Sequence, residues 1–88
     1  MTLRLRPGVT IHESGDQAIL LGTGRDAAYW RLNGTAKQMV TLLLDGRDVE
    51  AVVTATTALV AADAAVVRRD VENLVTALVD AKLAEDAG

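Results

Sequence analysis

The hydrophobic pattern of this chain changes period at Asn33. Before it, apolar and polar residues alternate in short runs separated by turn residues; after it, apolar residues recur every three or four positions. A period of two belongs to strands buried on one face, and a period near 3.6 to helices with one buried stripe. Strands first and helices second is an α+β order, with the helices packed on one face of an antiparallel sheet. The junction AAYWRLNGTA (27–36) holds Tyr29 and Trp30 side by side, the only aromatic residues of the chain. Neighbours in a strand point to opposite faces, so one ring goes inward and the other out. Asn33 follows Leu32 directly and is a residue type that caps helix N-termini. The strand-to-cap junction therefore fixes the angle between sheet and helices.

Upstream, residues 2–6 alternate and are stopped by Pro7-Gly8, which reads as a short edge strand or a disordered lead-in. Residues 9–13 put Val9, Ile11 and Glu13 on one side and Thr10 and His12 on the other. Ser14-Gly15-Asp16 is turn chemistry, and 17–21 completes a hairpin. After a second turn over 22–26, residues 28–32 form the third strand of an antiparallel meander. Downstream, Ala36, Met39, Val40 and Leu43 make the buried stripe of a first helix, which Gly46 ends in a left-handed cap. Asp48 caps a second helix with Val49, Val52, Val53, Leu59 and Val60 on its apolar face; its Thr54, Thr56 and Thr57 are poor helix residues and leave its length open. Asp63 caps the last helix, whose stripe is Val67, Val71, Leu74, Val75 and Leu78. Residues 84–88 read as a frayed acidic tail. The expectation is one domain over 1–88, α+β, resembling a winged helix-turn-helix with its hairpin first.

The composition limits what such a domain can do. Its 88 residues carry a net charge of −3 and no cysteine, which argues against nucleic-acid binding and excludes disulfide and thiol chemistry. Without a signal peptide or a membrane-length apolar run, the chain reads as soluble and cytoplasmic, with no membrane partner. The single histidine, His12, lies near Ser14, but a third orienting group and an oxyanion hole are missing from the pattern. One histidine among scattered carboxylates has no metal-ligand spacing. Gly22-Thr23-Gly24 lacks the further glycines or lysine of a phosphate loop and reads as a turn. Arg68-Arg69 could read DNA, but Asp70, Glu72 and Asp80 surround the pair and make a solvated face the better reading. No enzyme, cofactor or metal is expected.

What remains is the third strand of the meander. As an edge it exposes unpaired backbone groups, and only Arg31 among residues 27–32 carries a charge that would blunt it. Such an edge accepts an added peptide strand. The alternative, in which Trp30 anchors the core and the last helix covers the edge, stands equally on the sequence.

The residues also resemble a known family. Arg6-Pro7-Gly8-Val9 before the hairpin, Tyr29-Trp30-Arg31-Leu32-Asn33 leading to Thr35-Ala36, Leu44-Asp45-Gly46-Arg47 ending the first helix, Asp70-Val71-Glu72-Asn73-Leu74, and Ala81-Lys82-Leu83 together resemble the PqqD-like family, the RiPP recognition elements. The resemblance spans almost the whole chain and is nearest to the stand-alone proteins of lasso peptide biosynthesis. It implies a non-catalytic adaptor that binds the leader of a ribosomally made precursor peptide, commonly with a Tyr-x-x-Pro element. The leader would add antiparallel to the third strand, in the groove against the last helix. It further implies a leader peptidase and a macrocyclase as partners. On this basis Ala28, Tyr29, Trp30, Arg31 and Leu32 would pair with the leader. Val67, Val71, Leu74, Val75 and Leu78 would wall its pocket, and Arg68, Asp70 and Glu72 would line the rim. The domain would be a monomer or a weak homodimer. The same resemblance allows a partner of pyrroloquinoline quinone biosynthesis; outside it, a winged-helix DNA-binding regulator and a purely structural subunit are the other readings.

Overall fold

The computed structural model describes residues 2–22 and 28–86. Its elements are β1 (Leu3–Leu5), β2 (Thr10–Ser14), β3 (Gln17–Leu21), β4 (Tyr29–Leu32), α1 (Gly34–Leu44), α2 (Val49–Leu59), α3 (Ala64–Asp80) and β5 (Ala84–Asp86). β2, β3 and β4 form the antiparallel meander in that order, and the three helices follow it. The turn expected over 22–26 lies outside the described residues except for Gly22.

The register aligns Ile11, Leu20 and Trp30 across the sheet, then Glu13, Ala18 and Leu32. Leu20, Leu32 and Ala18 are buried and Trp30 and Ile11 half-buried, so this is the face the helices cover. Met39, Val40 and Leu43 of α1, Val52 and Val53 of α2, Val67, Val71, Val75 and Leu78 of α3, and Leu3, Leu83 and Ala84 complete the core. It is built almost wholly of small aliphatic side chains, as the shortage of aromatics requires. No helix among the described residues is long and apolar enough to cross a membrane.

All three expected caps form. The side chains of Asn33, Asp48 and Asp63 accept from the backbone N–H of Ala36, Ala51 and Ala65, each satisfying a donor that the first helical turn leaves free. Gly46, at φ 95°, ends α1 in the left-handed conformation. Its N–H donates to Leu43 and that of Arg47 to Leu42, the double closure of a Schellman motif. α3 ends in the same way: Lys82 and Leu83 donate back to Val79 and Leu78, with Lys82 rather than glycine at φ 61°.

Two expectations change. Residues 84–86 are not frayed: they form β5, antiparallel to β1, with Leu5 opposite Ala84 and Arg4 opposite Glu85. Arg4 Nε donates to Glu85 Oε1 at 3.0 Å, and Leu83 and Ala84 are fully buried. The ribbon forms because the left-handed turn at Lys82 sends the chain back under α3. The other change is in α2, where Thr56 rather than Leu59 occupies the buried stripe with Val52 and Val53. Leu59 is the last helical residue and is 66% exposed, since the chain leaves the helix before another element can cover it. Thr54 and Thr57 donate their hydroxyls to carbonyls one turn back, whereas Thr56 Oγ1 is buried without a partner.

Candidate functional site

β4 ends the sheet, and its pairing with β3 shows what it offers outward. The N–H of Gly22 donates to the carbonyl of Ala28 at 2.8 Å, so this opposed pair is a hydrogen-bonded one. Such pairs alternate along an antiparallel ladder with pairs whose backbone groups face away from each other. In the observed register the next hydrogen-bonded pairs are Leu20 with Trp30 and Ala18 with Leu32. The backbone N–H and C=O of Tyr29 and Arg31 therefore point out of the sheet at its free edge. Of the five residues 28–32, these two hold the groups that a further strand could meet.

The side chains divide by the same alternation. Trp30 and Leu32 face the helices, Leu32 completely buried and Trp30 half-buried against the core. Tyr29, 69% exposed, and Arg31 face outward. The register thus resolves which aromatic turns toward the helices: it is Trp30.

On α3, the proposed pocket wall is split. Val71 and Leu78 are fully buried, and Val67 and Val75 nearly so, which makes these four part of the core. Leu74 alone is half-buried at its surface. At 100° per residue, Leu74, Ala77 and Ala81 share one flank of the buried stripe, and Asp70 sits one turn before Leu74 on that side. Ala77 and Ala81 are half-buried as well, and Asp70 is exposed. Arg68 and Glu72 lie on the opposite flank. There Arg68 grips Glu50 of α2 through two bonds, Nε to Oε1 at 3.0 Å and Nη2 to Oε2 at 2.6 Å. The hydrogen bond from Arg68 holds the Glu50 carboxyl below its ordinary value, and the same bond raises Arg68. Of the expected rim residues, Asp70 is on the flank with Leu74, while Arg68 is committed to joining α2 and α3.

Where α3 ends, the structure brings it to the start of β4. A side chain placed on Gly22 would meet Ala28 O at 3.3 Å and Leu83 Cδ2 at 3.5 Å, so Leu83 sits against the Gly22–Ala28 pair. Ala28 just before β4, Trp30 on it, Leu74 on α3 and Ala81 at the C-cap of α3 are thus half-buried apolar residues around one core. Sequence periodicity alone could not show which flank of α3 is tied to α2, because that contact depends on Glu50, eighteen positions before Arg68.

A cleft of about 350 Å³ lies elsewhere, between the β2–β3 turn and α1, lined by Glu13, Asp16, Lys37 and Leu42 among others. Lys37 Nζ spans it, donating to Gly15 O at 3.1 Å and lying 3.6 Å from Glu13 Oε1. It is a seam joining hairpin to helix, and no expected site residue lines it. His12 Nε2 lies 3.0 Å from Thr10 Oγ1 on the outer sheet face. Among the described residues no cluster of three or more His, Cys, Asp or Glu could hold a metal.

Comparison with known proteins places this geometry. The profile of the family described as coenzyme PQQ synthesis protein D (PqqD) matches residues 17–84. A solved structure described as lasso peptide synthetase B1 complexed with the leader peptide is 32% identical, with TM-score 0.88, covering 98% of this chain and 100% of that one. A second, TbiB1 in complex with the TbiA(beta) leader peptide, is 25% identical, with TM-score 0.85 and coverage of 97% and 98%. No curated protein gives a significant match.

Proposed function

The chain belongs to the PqqD family, as a PqqD-like RiPP recognition element, and from that premise we propose that it is a non-catalytic adaptor for a precursor leader peptide. The leader adds as an antiparallel strand to the free edge of β4 and rests its inward side chains on Trp30 and on the Leu74 flank of α3. The adaptor then presents it to a leader peptidase and a macrocyclase of a lasso peptide pathway. The observation that carries this reading is the outward pair of N–H and C=O groups on Tyr29 and Arg31, on the strand that holds half-buried Trp30 against the core. Both matched structures being leader complexes supports the same ligand class here.

Backbone pairing supplies affinity in this mode, and pockets for alternate side chains supply selectivity. Trp30 and Leu74 are suited to the second role, being apolar and half-open. The test is a titration of the leader against Trp30→Glu and Leu74→Asp variants whose far-UV circular dichroism matches wild type. Loss of binding is expected; undiminished binding by the folded variants sinks the groove. A leader from pyrroloquinoline quinone biosynthesis would use the same edge, and parallel titration of the two leader types decides the pathway. DNA binding is disfavoured by the net charge of −3.

A further inference from the structure

β4 carries a single charge, Arg31, and among the described residues nothing neutralises it. Arg4 pairs with Glu85, Lys37 with Glu13 and Arg68 with Glu50, whereas the Arg31 side chain has neither an ion pair nor a hydrogen bond there. The register surrounds it on its own sheet face with Tyr29 along β4 and with Gln17, Ile19 and Leu21 on β3, none of them acidic. Yet the protein as a whole is acidic, with twelve aspartates and glutamates against nine lysines and arginines. The unmatched cation sits where the edge offers its backbone groups.

We propose that Arg31 is a specificity-determining residue: it selects an aspartate or glutamate at the leader position that pairs with it, and so sets the register of the added strand. This rests on the adaptor reading. Tyr29 and Arg31 turn both backbone groups outward, so each exchanges two hydrogen bonds with one residue of an antiparallel strand. Directly opposed residues hold their side chains on the same face, with Cβ atoms about 4.5–5.5 Å apart. The leader residue opposite Arg31 therefore lies beside the guanidinium. The next residue turns inward over Trp30, and the one after it lies beside Tyr29.

Two opposing electrostatic effects make the selection local. The net charge of −3 favours a neutral or basic leader overall, whereas the position opposite Arg31 favours a carboxylate. A lysine there meets a like charge directly across the pair, which destabilises a sheet. A carboxylate one pair further on, opposite Tyr29, stands on the diagonal at about 7–8 Å and gains less. Slipping the leader by two residues keeps its inward side chains inward but moves the acid off Arg31. The backbone bonds cannot tell those two registers apart, and the charge pair can.

The test uses the full chain and synthetic, fluorescently labelled leader of the precursor from the same gene cluster, each residue replaced in turn by Glu and by Lys. Wild type, Arg31→Glu and Arg31→Gln, matched by far-UV circular dichroism, are titrated against the set. At one leader position wild type should prefer Glu to Lys by about three- to tenfold. Arg31→Glu should invert that preference, Arg31→Gln should abolish it, and salt should shrink it. The natural residue there should be Asp or Glu. Tyr29→Lys should create the same preference two residues nearer the leader's C-terminus, as antiparallel addition requires. A leader that binds wild type and Arg31→Glu with the same preference at every position overturns the proposal and leaves the adaptor reading standing; Arg31 then serves only to blunt the edge. A new preference two residues nearer the N-terminus, or a natural Lys or Arg at the selected position, also overturns it. If wild type binds no leader peptide at all, the adaptor reading fails and the proposal with it.

Discussion

Arg31→Pro tests the backbone geometry of the free edge separately from its side chains. The N–H of Arg31 faces away from β3, so replacing it with a ring removes no bond of the ladder, and edge strands are where proline is tolerated. Trp30, the preceding residue, is in a strand, the conformation that a following proline requires. The variant should therefore fold, with a urea midpoint close to wild type. For an incoming strand the change is severe. One carbonyl of the leader loses its donor in a place the leader itself shields from water, which costs about 1–3 kcal/mol. That weakens Kd by roughly 5- to 150-fold, before any clash with the ring. Fluorescence anisotropy with labelled leader measures it, with Arg31→Ala as the control that removes the side chain alone. Trp30→Pro is the opposite control: its N–H points into the ladder, so it should unfold the sheet. A folded Arg31→Pro variant that binds leader as wild type does would refute strand addition at β4.

Three further outcomes follow from the packing. Thr56→Val replaces a hydroxyl that is buried and unpartnered with a methyl of the same shape; it should stabilise by about 1–2 kcal/mol, read as a higher urea midpoint at constant m. A lower midpoint would mean that the hydroxyl has a partner. Lys82→Gly relieves the left-handed residue that closes α3 and should add roughly 0.5–1 kcal/mol, whereas Lys82→Val should destabilise; equal stability of the three would remove the strain argument. Glu50 is held below its ordinary value mainly by the hydrogen bond from Arg68, so the pair contributes at neutral pH and is lost as pH falls through that lowered value. The stability difference between wild type and Glu50→Gln should accordingly shrink as pH falls below the ordinary carboxylate range, and shrink in salt. A difference that persists unchanged in acid contradicts this sign.

The features legible in the sequence were those governed by local rules. The change of period at Asn33, the caps at Asn33, Asp48 and Asp63, and the left-handed Gly46 each follow from a few neighbouring residues, and each is present. β5 was not legible because Ala84–Asp86 is short and acidic and its partner lies at the other end of the chain. The same limit applied at the site. Alternation predicted that Tyr29 and Trp30 diverge, but which one turned inward depended on the register with Leu20 and Leu21. The stripe of α3 was correct as a stripe, yet which of its flanks is tied to α2 rests on the Arg68–Glu50 pair, far apart in sequence. Leu59 illustrates the converse: its spacing is right for the buried face, but the helix ends there and nothing covers it.

The most direct measurement of the central claim is a backbone amide NMR titration of the chain with its leader peptide. Strand addition at β4 predicts that the Tyr29 and Arg31 amides, solvent-facing in the free chain, gain hydrogen-exchange protection on binding. The Trp30 and Leu32 amides, already held by β3, should change little in protection. Leu74 and Ala77 should shift with them. Perturbations centred instead on Glu13, Lys37 and Leu42, with Tyr29 and Arg31 still exchanging freely, would place the leader in the hairpin cleft and contradict the account.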